Sequence, residues 1–430
     1  MSDVEADFFK DMQVINDPRS YFDQCRSKCP VMREKYQGTF MVTGYDEASE
    51  VLGRKDGAFS SVVSVVGPIP PLPFRPEGDD ISEQLEAHRD ELPWAAHLVC
   101  FDGKKHVDHR ALLTGLLTQK RVKANEEYLH GLADRLIERF IHTGRCQATS
   151  EYAHAVAIYA ISDIMGIPEK DRAELIDLLG PAPSQLEGDA AHKIGADPLI
   201  FLKDRFDGYL RERQQQRGTD LMSDLLYSRL KDGSAPSFEM LSLLARFLFG
   251  AGQDTTARLV GMAIRILGDR PELQTRLRNE PERIADFLEE VLRYDGPVKV
   301  VYRLAKTSTK IAGVDVPAGS IVTVSLTGAN NDPRYFERPD EFNIDRPTLR
   351  NHMAFSRGVH ACLGAPLARL ETRVAIERFL ARVPHFRISE EHHGPPQARR
   401  YRYEPTYSFR SLSELHIEFT PASLLTREGK

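Results

Sequence analysis

Apolar residues recur along this chain in two rhythms, and the change of rhythm divides it. Leu129, Leu132, Leu136 and Phe140 stand three to four apart, the spacing of one helix face, and 152–165 reads as a further helix. The longest run of this kind is 238–267, which as a helix would span roughly 45 Å. Its apolar residues (Leu241, Phe249, Val260, Met262, Ile264 and Leu267 among them) fall on nearly all sides, so it is expected to be buried through the centre of the fold. Arg246, Asp254 and Arg258 within it argue against a membrane span. Beyond Gly296 the period shortens: 298–302, 309–311 and 321–326 read as strands, 317–319 as a turn, and 386–388 with 416–419 as a small closing sheet. Near the start, a helix over 18–29 precedes a hairpin, 31–36 and 39–43 joined around Gln37-Gly38, and then a helix over 46–53. The pattern predicts a mainly α fold with a smaller β part.

Two stretches break the rhythm. Residues 59–99 carry Pro68, Pro70, Pro71, Pro73 and Pro76, and a loop of that length is usually a functional lid or a disordered segment. A polyproline ligand for a partner module is the other reading. Val62, Val63, Val65, Val66, Phe74, Trp94 and Leu98 are too apolar for a solvated tail, which favours a lid. The polar, Gly- and Pro-containing break over 180–197 is expected to be a second mobile flap.

Composition narrows the classes. At 430 residues the chain is long enough for two or three domains, but no flexible linker divides it, so 1–430 is expected to form one domain with a helix-rich and a β-rich part. A formal net charge of -6 gives no global basic field for nucleic acid or anionic membrane. The N-terminus lacks the basic and apolar regions of a secretory signal, and no apolar run is long enough for a membrane anchor, so a cytoplasmic protein is expected. Five scattered cysteines fit a reducing compartment and no disulfide framework.

Chemistry concentrates in 355–364, Phe-Ser-Arg-Gly-Val-His-Ala-Cys-Leu-Gly, directly before a run that reads as a helix. Gly358 lets the backbone turn back on itself, and Gly364 lets it approach a flat partner closely. A sulfur at a helix N-terminus faces unpaired amides and the positive dipole end, so its pKa is expected to fall. Such a thiolate is a metal ligand, with haem iron the obvious candidate; Cys362 alone would read equally as a buried, inert thiol. In the middle of the long helix sits 250–256, Gly-Ala-Gly-Gln-Asp-Thr-Thr, whose glycines each cost about 1 kcal/mol relative to alanine. A threonine hydroxyl there can bond the carbonyl one turn back and open a groove, with Asp254 and Thr255 as an acid and alcohol pair. A packing notch with Asp254 in an ion pair explains the same residues. Glu290 and Arg293 stand three apart on one helix face. His106, Arg110, Arg303 and His360 are cations that solvent exposure alone would explain.

In this order the segments resemble the cytochrome P450 superfamily of haem-thiolate monooxygenases, of the soluble bacterial type, over about 22–419. Phe355, Gly358, His360, Cys362 and Gly364 match its haem-ligand signature, 250–256 its oxygen-activation motif, and Glu290 with Arg293 its Glu-x-x-Arg helix. The resemblance implies haem b between the long helix and the helix after the cysteine, with Cys362 as the axial iron ligand. His106, Arg110, Arg303 and His360 would meet the propionates, and Ala251, Phe355 and Gly364 would also contact the haem. Asp254 and Thr255 would deliver protons. Glu290 and Arg293 would brace the cysteine loop against 332–346. Electrons from NAD(P)H would come through a ferredoxin and ferredoxin reductase docking on Lys104, Lys105, Lys120, Arg121, Lys123 and Arg357, to a monomer.

By the same analogy the substrate pocket would be formed by 65–98, Leu244, Phe247, Leu248, Val298, Val300, Val301, Thr406 and Tyr407. It would take a lipophilic steroid, terpenoid, fatty acid or aromatic for hydroxylation or epoxidation, with Lys299 and Arg410 available to a carboxylate. Two departures stand out: Asn331 replaces a common Arg, and Ser356 a common Gly. A peroxide-driven or non-redox haem-thiolate enzyme, or a non-catalytic haem sensor, is the alternative.

Overall fold

A computed structural model of the protein describes residues 4–179 and 197–421. The expected flap over 180–197 lies outside the described residues apart from Asp197. The long helix forms as the apolar pattern requires and runs over Phe238–Asp269. Ser237 caps it by accepting from the Met240 N–H, which satisfies one of the unpaired amides of the first turn. It lies through the centre, packed against helices Ala155–Met165, Ile284–Asp295 and Ala365–Arg382. We refer to it as the central helix, to Ile284–Asp295 as the brace helix and to Ala365–Arg382 as the cysteine helix.

Two large apolar cores share the central helix. Its C-terminal half packs with the cysteine and brace helices around Phe140, Tyr152 and Phe379. Its N-terminal half packs with Leu112, Leu113, Ile161, Met165 and Phe206. The candidate site opens between them.

The β part is a five-stranded sheet in the order Val31–Arg33, Phe40–Val42, Ile321–Ser325, Val300–Ala305, Phe59–Ser60. Only the pairing of Phe40–Val42 with Ile321–Ser325 is parallel. The expected hairpin is present, with Val31 opposite Val42. The strand expected over 298–302 begins later, at Val300, because Val298 bridges to Phe409 instead. His416–Phe419 is the middle strand of a small sheet, pairing with Phe386–Ile388 on one side and Arg145–Gln147 on the other.

The proline-rich stretch is more ordered than a lid. Val62, Val63, Ile81, Leu85, Leu92 and Ala95 are buried in one cluster with Tyr302, Leu304 and Tyr407. The apolar residues that excluded a solvated tail are there to pack.

Candidate active site

The cysteine loop is held by its own backbone. The Cys362 N–H donates to the Phe355 carbonyl at 2.8 Å, closing the turn, and Ala361 N–H donates to the Gly358 carbonyl. Gly358 has φ +69°, and a Cβ there would stand 2.2 Å from the Leu52 carbonyl oxygen, so both conformation and space demand glycine. Ser356 also adopts a left-handed φ of +59°, a conformation that favours glycine, and its hydroxyl is buried without a partner. Gly364 differs: a Cβ on it would meet nothing nearer than the Cys362 sulfur, at 3.9 Å. The missing side chain leaves room over the sulfur.

Cys362 is accessible from the cavity yet encircled by protein on its other sides, and the encirclement governs its proton. Burial pushes the thiol up, against the Gly364 and Ala365 amides and the charges of Arg110 and Arg369. The lowered pKa expected from the helix N-terminus is therefore not a property of the polypeptide by itself. The amides pull as anticipated, but desolvation is larger.

Behind the loop stand two buried ion-pair networks. Glu290 and Arg293 have fully buried side chains and pair at 2.7 and 2.8 Å. Arg293 also donates to the Asn330 carbonyl, to Asn331 Oδ1 at 3.2 Å and to the Glu341 carbonyl. Glu290 accepts from the Asn343 N–H. Asn331, one of the two departures noted above, thus contacts the buried pair directly. Next to it Glu289 accepts from Arg369 on the cysteine helix and contacts His352 at 3.0 Å. Burial would raise the Glu289 carboxyl, but these two partners outweigh it and hold it at about 2. Arg369 in turn lies over the Phe355 ring, 4.5 Å from its centroid.

Across the cavity from Cys362 the central helix presents Ala251, Gly252, Thr255 and Thr256. Thr255 Oγ1 donates to the Ala251 carbonyl at 3.0 Å, the bond to one turn back that the motif suggested. The glycines have a packing use as well: a Cβ on Gly252 would lie 3.1 Å from Ile161, and one on Gly250 3.4 Å from Leu199. Asp254 is not on the cavity wall. Both its oxygens stand 3.0 Å from Nε of buried Arg258, which also donates to Glu404 at 2.8 Å. Adjacent helix positions diverge by a quarter turn or more, so the acid and the alcohol face different ways.

One edge of the cavity is cationic. His106, Arg110 and His360 line it, the two imidazoles 4.0 Å apart between centroids, and Arg110 donates to the Ala361 carbonyl at 2.7 Å. Arg303 is buried behind them and donates to its own neighbour's carbonyl, Tyr302. Burial brings the Arg303 guanidinium down to about 10. Burial also drives His360 down, to about 2, helped by Arg303, His106 and Arg110. Among the described residues neither arginine has an ion-pair partner. Two arginines without an ion-pair partner, beside two imidazoles able to donate, suit a ligand that brings its own negative charges.

Comparison with known proteins gives that ligand a name. The family pattern described as Cytochrome P450 matches residues 189–400. Cytochrome P450 144 of Mycobacterium tuberculosis is 30% identical over 383 residues, covering 88% of this chain and 85% of the relative. The chain belongs to the cytochrome P450 family. The solved structure of Mycobacterium marinum cytochrome P450 CYP150A6 in its substrate-free form is 46% identical, with a TM-score of 0.90 over 97% of this chain and 99% of that one. CYP109E1 from Bacillus megaterium, solved in complex with testosterone, is 27% identical with a TM-score of 0.77, over 94% and 99% of the two chains. P450s are monooxygenases that use haem b, O2 and electrons delivered from NAD(P)H by redox partners. The residues here fit that group: a thiol under an open glycine, an unpaired cationic edge for propionates and an apolar wall opposite.

The P450 pocket is narrower in membership than the analogy suggested. Phe247, Leu248, Val298 and Val301 line it as expected. Leu244 does not; it lines a smaller neighbouring cleft with His97 and Leu243. Val300 faces the other side of its strand, in the cluster that holds Tyr407. Thr406 binds the Phe409 carbonyl, and the Tyr407 hydroxyl donates to Val66. Of the proline-rich stretch only Leu98 and Val99 reach the cavity. Lys299 and Arg410 are both occupied: Lys299 donates to the Thr406 carbonyl at 2.5 Å, and Arg410 to Asp295 and the Ile15 carbonyl. A substrate carboxylate therefore finds neither of them. Residues that the sequence did not point to include Ile161, Leu326 and Glu371. Glu371 carried a signal in its position one turn beyond Leu367 on the same helix face.

Proposed function

We propose that this P450 hydroxylates or epoxidises a neutral, lipophilic small molecule of steroid or terpenoid kind, with electrons from a ferredoxin and its reductase. The observation that carries the reading is the distribution of charge around the cavity: every cation on its wall sits at the edge formed by His106, Arg110 and His360. The face made by Leu98, Val99, Phe247, Leu248, Val298 and Val301 is apolar. A neutral ring system loses nothing by entering such a face, whereas a free carboxylate would be desolvated without a partner. Structures of CYP109E1 with corticosterone and with testosterone support this class.

In this reading Cys362 ligates the haem iron, and His106, Arg110, Arg303 and His360 hold the propionates, with Ala251, Phe355 and Gly364 against the macrocycle. When bound, the haem supplies the activation of O2. Thr255 keeps its hydroxyl on the cavity side by bonding Ala251, ready to hold a proton or a water there. Asp254, paired with Arg258, meets the cavity only if that pair opens. Lys120 and Lys123 stay exposed on a short helix that packs against the cysteine helix, which supports ferredoxin docking there. Arg121 and Arg357 are committed elsewhere, to Asp224 and to Tyr45.

Spectral titration of the ferric holoenzyme tests the substrate class. Neutral steroids and terpenoids should drive the low- to high-spin shift, and fatty acids should do so weakly. A shift produced only by carboxylates would contradict the reading. Charge reversal at Lys120 and Lys123 should slow reduction and flatten its salt dependence.

A further inference from the structure

Three segments of the chain meet at one buried imidazole. His97, from the proline-rich stretch, is 1% exposed, and its Nε2 lies 2.9 Å from Asp197 Oδ1. Asp197 Oδ2 accepts in turn from Arg246 Nη1 of the central helix at 2.6 Å, and the same Nη1 donates to the Leu199 carbonyl at 3.0 Å. Burial, helped by the charge of Arg246, pushes His97 below its ordinary value despite Asp197, so the ring is neutral and Nε2 carries its hydrogen. Nδ1 of His97 and Nε of Arg246 are both buried without a hydrogen-bond partner. Stability alone would not select a polar triad that leaves two buried atoms open.

The triad stands behind a partition between two spaces. The cavity over Cys362 encloses about 280 Å³, and the neighbouring cleft, which His97 lines, about 180 Å³; Leu98 belongs to both. Phe247 follows Arg246 in the chain and lines the cavity, with its ring 5.9 Å from the His97 ring between centroids. The His97 ring also lies 5.0 Å from that of Trp94, the single tryptophan of the chain. Trp94 has a left-handed φ of +66°, sparsely populated for so bulky a residue, and its carbonyl accepts from the His97 N–H at 2.8 Å. The cleft opens to solvent beside exposed Lys105, Ser237 and Glu239. Ligand pockets run to about 300–1,000 Å³. A cavity of about 280 Å³ that must take porphyrin and substrate together has to widen before a steroid-sized molecule fits, and the cleft beyond Leu98 is where room already exists.

We propose that His97 determines the length of substrate this P450 accepts. Held by Asp197 and Arg246, its ring backs Leu98 and Phe247 and keeps the partition shut; when the ring turns away, the far end of an elongated neutral lipophile passes between them into the cleft. The proposal rests on the lipophilic-substrate reading above and extends that site. The latch opens without stranding a charge, because Asp197 keeps Arg246 and the Leu199 N–H when the imidazole leaves. A ligand short enough to stay within the cavity leaves the latch closed. A longer one meets the cost of opening it as weakened apparent affinity.

The holoenzyme is titrated with two neutral probes, a monoterpene alcohol and testosterone, following the spin shift and the emission of Trp94. In the wild type, testosterone should change the Trp94 emission as the adjacent imidazole moves, and the monoterpene should not. His97→Ala, which removes the ring, should bind testosterone about tenfold tighter, with the monoterpene Kd unchanged. His97→Gln keeps a donor for Asp197 and should restore the wild-type discrimination. Tightening of both probes alike, or a testosterone Kd in His97→Ala no tighter than wild type, overturns the proposal, as does a Trp94 response that is the same for both probes. Should His97→Ala fail to hold haem, the two emission titrations of the wild type decide. A wild type in which no neutral lipophile shifts the spin state fails the substrate reading and the proposal with it. Spin shifts by both probes that are indifferent to His97 fail the proposal alone.

Discussion

The two walls of the cavity are built on opposite principles. The cysteine wall is fixed by charge: Glu290 and Arg293 are locked to 330–343, and Glu289 ties the brace helix to Arg369 and His352. The central-helix wall is shaped by packing, with Gly250 and Gly252 accommodating Leu199 and Ile161, and Phe247, Leu248, Val298 and Val301 offering only apolar surface. A metal ligand must be placed within a fraction of an ångström, and directional buried hydrogen bonds supply that precision. A substrate surface needs shape and little direction. The difference places the metal ligand on one wall and the apolar substrate surface, beside the motif residue Thr255, on the other.

The strongest way to break this contrast is Arg293→Met. It leaves the buried Glu290 carboxylate without its main partner, and breaking such a pair costs about 3–5 kcal/mol. Thermal unfolding should fall well below wild type, and haem should be retained poorly. The double change Glu290→Leu with Arg293→Met should recover part of the loss, since no charge is then stranded. Equal loss in single and double variants would argue that the pair is not the brace.

Acid separates the walls next. The Glu289 carboxyl sits below its ordinary value near 4.5, at about 2 when folded. Its contribution is therefore fully present above about 4.5 and is lost as pH falls through the folded value, on the order of 2–3 kcal/mol. Acid unfolding followed by haem release should be displaced upward in pH in Arg369→Met, and Phe247→Ala should leave the midpoint where it is.

Phe247→Ala is expected to have the smallest effect on the folded chain. Its effect should appear in binding, with Kd for a lipophilic ligand weakened roughly ten- to a hundredfold, from about 1.5–3 kcal/mol of lost burial. A large fall in melting temperature with unchanged Kd would reverse the roles assigned to the two walls.

Legibility in the sequence followed the same division. The cysteine loop, the central helix and the Glu290–Arg293 pair are local motifs whose spacing dictates their geometry, and each appears where the pattern put it. Wall membership depends on orientation. Val300 and Val301 are neighbours on a strand, and alternation sends them to opposite faces, so only one could line the cavity. Thr406 and Tyr407 were misplaced because their position depends on the long-range bridge from Val298 to Phe409. Asp254 read as a partner of Thr255 by adjacency, but Arg258, four residues on, claims it. Glu371 was missed because a carboxyl in a helix ordinarily reads as solvated, and burial without a partner appears only in three dimensions.

The central claim is that Cys362 supplies the sulfur facing the central helix across the cavity. It is tested most directly by the ferrous carbon monoxide spectrum of the holoenzyme and of Cys362→His. The wild type should give the red-shifted, thiolate-type band, and the variant should bind carbon monoxide without it. A thiolate-type band that survives in Cys362→His would contradict the assignment.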